Sequence, residues 1–243
     1  MEQIQNPIHN LYKRLEDRRQ LAASEGLIFF QCYGCNREWN RKAKEGEQAT
    51  GHVNTILCGD CARKKREQVF ASVCPSLYQK TDTSKLPQEQ LKKAMDWQYG
   101  SRGLILLGDT GKGKSRVAWS LLKRLLVEDK PMQHPKPSRD FVWFDATSFG
   151  HEIIRAYREE NADVWLEEVS TVPLVFFDDL GKLKLTERAE VELFGVIERR
   201  CANELPIIVT TNDTGDSLAA RMSDNRGPAM IRRLREFCEP IQF

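Results

Sequence analysis

Gly108-x-x-x-x-Gly113-Lys114-Ser115, entered from the apolar run Leu104 to Leu107, constrains this chain more than any other stretch. A short apolar run of this kind reads as a buried strand. Beyond Ser115, Val117, Ala118, Leu121, Leu122, Leu125 and Leu126 recur at helical spacing. Strand, glycine loop and helix together form the context that a phosphate-binding loop requires. The loop residues Gly108, Asp109, Thr110, Gly111, Lys112 and Gly113 can turn their backbone N–H groups inward on a polyphosphate. Lys114 can reach the β- and γ-phosphates, and Ser115 can offer a hydroxyl to Mg²⁺. The positive end of the helix lies at the same spot.

The rest of the second half alternates strand and helix patterns. Phe141 to Asp145, Val172 to Asp179 and Pro206 to Asn212 read as buried strands. Helices are expected over Phe149 to Glu168, from Thr186 to Arg200, and around Asp216 to Met222 and Pro228 to Glu236. Glu128 to Asp140, rich in proline and polar residues, reads as a loop. Continuous apolar strands alternating with helices indicate an α/β sandwich with a mostly parallel sheet. Ligands of such sheets bind beyond the carboxyl ends of the strands. Asp178 closes one apolar strand, as a Mg²⁺-side carboxylate should, and Asp179 after it could orient or deprotonate a water. Asn212 closes another and could hold that water or sense the γ-phosphate, although Thr-Thr-Asn-Asp is also turn chemistry.

A second signal precedes the loop. Cys32-x-x-Cys35 and Cys58-x-x-Cys61 are two knuckles at the separation of a structural Zn²⁺ site, and each carries a glycine. The insert from Asn36 to Asn54 is too polar to hold a core, so metal binding is expected to supply the missing stability. His52 reads as a loop residue, and Cys74 as a small buried hydrophobe. Arg63-Lys64-Lys65-Arg66 follows the second knuckle and is either a phosphate-contacting patch or a solvated helix face. Asn6-Pro7 opens a short amphipathic helix with Ile8, Leu11, Tyr12 and Leu15 on one side. Val73 to Pro87 reads as loop, and Pro87 opens a helix that covers the sheet edge near the nucleotide pocket. The divisions are an N-terminal helix over residues 1–25, a zinc module over 26–72, a lead-in over 73–99 and an ATPase domain over 100–243.

Composition narrows the setting. In 243 residues the formal net charge is only +2, so any nucleic-acid site must be a local patch rather than a global field. No apolar run approaches the ~20 residues that span a bilayer, and Met1 to Asn10 lacks a signal-peptide core. A cytoplasmic protein is expected, and seven cysteines suit that compartment if four of them hold metal.

The phosphate loop, Leu-Val-Phe-Phe-Asp-Asp-Leu-Gly, Ile-Val-Thr-Thr-Asn and Ile-Arg-Arg-Leu-Arg-Glu together resemble AAA+ ATPases. Within that group the chain is similar, from Leu77 to Phe243, to DnaC-like replicative helicase loaders and their transposon-borne IstB-like relatives. The resemblance implies a five-stranded parallel sheet sandwiched by helices, with the phosphate-loop strand central. It implies ATP and Mg²⁺ bound by Lys114, Ser115 and Asp178, with Asn212 as sensor. Asp179 stands where many AAA+ members carry the longer Glu, which implies slow basal hydrolysis, although Asp-Asp is usual in the loader branch. Only residues 237–243 follow Glu236, so a full C-terminal lid is not expected, as in that branch. Arg233, and after it Arg232, is the expected arginine donated to a neighbour's γ-phosphate, which implies a homo-oligomer. The expected partners are a replicative helicase and single-stranded DNA, and no membrane. Rival readings are a helper ATPase for a transposase, a nucleic-acid adaptor switched by ATP, and a small-molecule P-loop kinase. The last needs arginines in a lid, and residues 146–171 offer only Arg155 and Arg158.

Overall fold

The computed structural model describes residues 7–100, 102–128, 141–145, 147–182, 185–222 and 226–243, with side chains from residue 14 onward. The Asn6 cap, the side chains of Ile8, Leu11 and Tyr12, and nearly all of the loop expected before Phe141 lie outside the described residues. The chain divides into two compact units, Met1–Gln68 and Val69–Phe243.

In the first unit, helix α1 (Pro7–Glu25) precedes strand β1 (Leu27–Cys32), which lies between β2 (Glu38–Lys42) and β3 (Val53–Ile56). β1 runs antiparallel to β2 and parallel to β3. The two faces of β1 differ, as alternation requires. Phe29 is buried, with the Arg18 guanidinium of α1 over its ring. Phe30, on the other face, stacks on Trp39, its cross-strand partner, at 5.5 Å. Leu15 of α1 is exposed. Helix α2 (Gly59–Val73) carries the basic run, and Arg63, Lys64 and Lys65 are exposed.

The second unit is built on a parallel sheet. The lead-in expected as loop contains two short elements, α3 (Ser76–Gln79) and a 3-10 turn (Thr83–Lys85), the latter capped by the Asp82 side chain on the Ser84 N–H. Helix α4 (Gln88–Asp96) follows Pro87. Strand β4 (Gly103–Leu107) enters the glycine loop, and α5 (Lys114–Lys123) leaves it and continues as a π-helical turn through Glu128. Then come β5 (Phe141–Phe144), α6 (Ser148–Arg158), α7 (Ala162–Thr171), β6 (Leu174–Phe177), a 3-10 turn (Leu180–Lys182), α8 (Glu187–Ala202), β7 (Ile207–Thr211), α9 (Gly215–Ala220), α10 (Arg226–Phe237) and β8 (Cys238–Gln242). The strand order is β5-β6-β7-β4-β8, every pair parallel.

Three expectations need correction. The helix expected over Phe149 to Glu168 is two helices. Glu160 takes a positive φ of 55°, and the Asn161 N–H reaches back to the Ala156 carbonyl, which ends α6 and redirects the chain. The phosphate-loop strand is interior but not central, because β7 takes the middle position and β8 adds outside β4. β8 itself follows α10 directly, where the local pattern gave only a helix end. It is an edge strand, which accommodates Pro240, and Cys238 and Ile241 are buried in the cores on its two opposite faces. α4 lies at this edge, where the Gln90 amide donates to the Gln242 carbonyl.

Both sheet faces are covered, so the strands are apolar throughout. Leu104, Leu106, Leu174, Phe176 and Ile208 face a cluster around Trp119 of α5, while Val175, Phe177, Ile207 and Val209 face α6, α7, α8 and α10. One buried residue is a cation with no carboxylate partner among the described residues. Arg200 of α8 is 0% exposed, and its guanidinium donates to the carbonyls of Val169, Val172, Pro173 and Pro206 at 2.8–3.3 Å. These carbonyls lie in the last turn of α7 and at the entries to β6 and β7. The negative end of the α7 dipole thus stands in for a counter-ion. Burial pushes the Arg200 ionisation down to about 10, still well above neutrality. Arg200→Leu would remove the guanidinium donor from all four carbonyls, although Pro173 keeps the Tyr99 hydroxyl and Pro206 the Val175 N–H. The expected loss is roughly 3 kcal/mol, by the usual cost of unsatisfied buried groups. Chemical denaturation of the variant, read by circular dichroism, checks it.

Candidate functional site

Three strand ends converge because β4, β7 and β6 are neighbours in the sheet. At the end of β4 the backbone turns through Gly108, Gly111 and Gly113. Gly113 sits at φ 92°, ψ 10°, a left-handed position at the helix start where a side chain would be strained. Asp109, Thr110, Gly111 and Lys112 form the exposed arch of the loop.

Lys114, only 6% exposed, curls back beneath that arch. Its ammonium donates to the carbonyls of Gly108 and Asp109 at 2.7 and 2.8 Å and to Asn212 Oδ1 at 2.7 Å. Burial lowers its ionisation, and Asp179 and Asp109 oppose that effect. Ser115 Oγ donates to Asp178 Oδ1 at 2.7 Å, and Thr210 Oγ1 donates to the same oxygen at 2.6 Å. Burial pushes the Asp178 carboxyl up, while these two hydroxyls pull it back.

Asp179 follows at a positive φ of 63°, which swings it out of strand geometry. The Asp179 N–H donates to Thr210 Oγ1. Asp179 Oδ1 accepts from Asn212 Nδ2 at 2.8 Å, and Oδ2 pairs with Lys182 Nζ at 2.6 Å. The Asn212 amide therefore bridges the lysine of the loop and the second acid. A cleft of about 240 Å³ is lined by Lys114, Ser115, Asp179, Lys182, Thr210 and Asn212 together with Leu77, Tyr78 and Arg116.

The structure thus brings Lys114, Ser115, Asp178, Asp179 and Asn212 into one network. Arg233 lies elsewhere, with Nε on Glu198 of α8 at 2.6 Å and Nη1 on Glu236 at 3.4 Å. Arg232 lines a separate groove beside α9. Sequence reasoning missed Thr210 and Lys182. Thr210 could have been found from strand alternation, since it precedes Asn212 by two and shares its face. Lys182 gives no periodic signal, because a 3-10 turn sets its place.

The donor set fits a nucleotide and its metal. The loop offers backbone N–H groups, Lys114 offers a cation, and Ser115 with Asp178 offers hard oxygens of the kind Mg²⁺ takes. Mg²⁺ there would supply charge neutralisation at the phosphates.

In the first unit the four cysteines meet. The sulfurs of Cys32, Cys35, Cys58 and Cys61 all lie within 4.8 Å of one another, and Cys35 and Cys58 are 3.7 Å apart. A tetrahedron with Zn–S of 2.3 Å has edges of about 3.8 Å, so the cluster fits zinc. Cys32 Sγ accepts the N–H groups of Gly34 and Cys58 at 3.3 and 3.2 Å. Burial disfavours its thiolate, but these N–H groups win and bring it down to about 6. His52 is exposed and stands apart from the cluster.

No protein-family profile and no curated protein matches the chain in sequence. Solved structures do match in fold. The DnaC helicase loader is 20% identical with a TM-score of 0.50, over 74% of this chain and 99% of that one. DnaI is 16% identical with a TM-score of 0.50, over 74% and 93%. AMPPCP-bound DnaA from Aquifex aeolicus is 16% identical with a TM-score of 0.50, over 67% of this chain. The match spans about half, 47%, of the DnaA chain. Sheet order and phosphate loop thus define an AAA+-type α/β sandwich. More particularly, the fold is related to that of the DnaC and DnaI loaders, and a four-cysteine cluster precedes it. Among the described residues, no helix is long and apolar enough to cross a membrane.

Metal analysis after exhaustive dialysis should find about one Zn²⁺ per chain, from the one closed four-thiolate site, and none in a Cys32→Ser/Cys35→Ser double variant. Folded wild type free of zinc would contradict the assignment.

Proposed function

We propose that this chain binds and hydrolyses ATP and acts as a loader that places a replicative helicase on single-stranded DNA. The observation that carries the ATPase reading is the network joining Lys114 to Asn212 and Asp179, and Ser115 to Asp178, across three strand ends. Lys114 serves the phosphates, and Ser115 and Asp178 serve Mg²⁺. Asp179 positions or activates water, and Asn212 links water to phosphate. The loader reading is supported by a fold likeness spanning nearly the whole DnaC helicase loader. In this reading residues 26–72 form a zinc module that grips a partner, and residues 100–243 form the ATPase.

Capture on the immobilised chain tests the partner. With ATP, replicative helicase and single-stranded DNA should both be retained, and transposase should not. Retention of transposase alone would replace the loader reading with that of a transposition helper.

The active form is an oligomer in which Arg233 of one copy serves the pocket of the next, with Arg232 as second choice. Within its own chain Arg233 is held by Glu198 and Glu236, away from the phosphate loop. An arginine supplied in trans is worth about 10³–10⁵ in rate. Arg233→Ala and Lys114→Ala should each be inactive alone in a phosphate-release assay. Mixed, a Lys114→Ala copy lends its arginine to an intact pocket on its neighbour, so partial activity should return. No recovery, or full turnover by Arg233→Ala, would rule this residue out.

A further inference from the structure

Lys182 is the second lysine of the nucleotide cleft, and its setting is unlike that of Lys114. It ends the 3-10 turn that begins directly after Asp179, and its N–H donates to the Asp179 carbonyl at 2.9 Å. The turn has no slack. Leu180 is buried, and Gly181 lies so close to the end of β7 that a Cβ there would collide with the Asp213 carboxylate and press on Thr211 Oγ1. The backbone of Lys182 is therefore fixed, while its side chain is 55% exposed and, among the described residues, pairs with Asp179 Oδ2 at 2.6 Å. Lys182 lines the same cleft as Lys114, Ser115 and the loop residues Thr110, Gly111 and Gly113.

We propose that Lys182 reads the γ-phosphate from within the same chain and is held on Asp179 until a nucleoside triphosphate draws it across. The inference rests on the nucleotide reading of the site. Both oxygens of Asp179 are engaged, one by Asn212 and one by Lys182, so a water that approaches Oδ2 must share it with an ammonium. A terminal phosphate carries more charge than one carboxylate and offers three acceptor oxygens, so it competes well for an ammonium within reach. Transfer of Lys182 to that phosphate frees Asp179 Oδ2 in the same movement. One side chain would then couple recognition of the triphosphate to release of the acid. A diphosphate, lacking the third phosphate, leaves the pair closed.

The test compares ADP with a non-hydrolysable β,γ-methylene ATP analogue by calorimetry, on the full chain with Mg²⁺. In Lys182→Gln, affinity for the analogue should fall roughly 10- to 100-fold, the usual worth of a charged hydrogen bond. ADP affinity should stay within about twofold, since no contact to it is lost. Lys182→Arg should restore the preference for the triphosphate, which a merely structural lysine would not predict. Equal weakening of both ligands, or no change in either, would overturn the proposal while leaving the nucleotide site intact. If wild type binds neither ligand, the nucleotide reading itself falls, and this inference with it.

Discussion

An ammonium withdrawn from water must be surrounded by oxygen, and the surroundings of Lys114 set most of the site. Two of its three acceptors are carbonyls of its own loop, which only a backbone turned through Gly108, Gly111 and Gly113 can present. The third is Asn212, which exists there only because β7 is the direct neighbour of β4. From Asn212 the network runs to Asp179 and Lys182, and in parallel Thr210 ties β7 to Asp178 and so to Ser115. Breaking the β4–β7 register by one residue would turn Thr210 and Asn212 to the other face. Sheet pairing and site chemistry are thus one constraint seen at two scales.

Buried cations are handled alike on the two sides of this sheet. Arg200 meets four carbonyls and no acid, as Lys114 meets two carbonyls and an amide. The outcomes differ because the surroundings differ. Arg200 is enclosed by α7 and the strand entries and serves to fasten them. Lys114 stands at a cleft open to a ligand, so its carbonyl contacts are ones that phosphate oxygens can replace. Lys182, paired with Asp179 and more than half exposed, is the least enclosed of the three.

The first unit meets stability from another direction. Among the described residues, three short strands, α1 and the first part of α2 bury few apolar side chains, chiefly Ala22, Phe29 and two of the cysteines. A core of that size is marginal without a cross-link. The gathered thiols of Cys32, Cys35, Cys58 and Cys61 supply the place for one, and N–H groups aimed at Cys32 Sγ prepare it to be a thiolate.

Local pattern by itself determined the glycine loop with its strand and helix, the cores of β5, β6 and β7, and the four-cysteine cluster. Each is written in residues a few positions apart, where spacing and periodicity dictate geometry. Tertiary structure alone decided what depends on distant pairing. The central place went to β7 rather than β4 because the chain crosses to β5 and returns strand by strand, while β8 adds outside β4. Cys238-Glu239-Pro240-Ile241-Gln242 has no strand-like alternation, and only its register with Gly103 to Leu107 makes it a strand. The break at Glu160 reflects the separate packing of Ala156 and Leu166 against one core, which no helical period announces. Lys182 and Arg200 acquire meaning only from the carboxylate and carbonyls that folding brings to them. A charged side chain in sequence looks the same whether water or the protein will surround it.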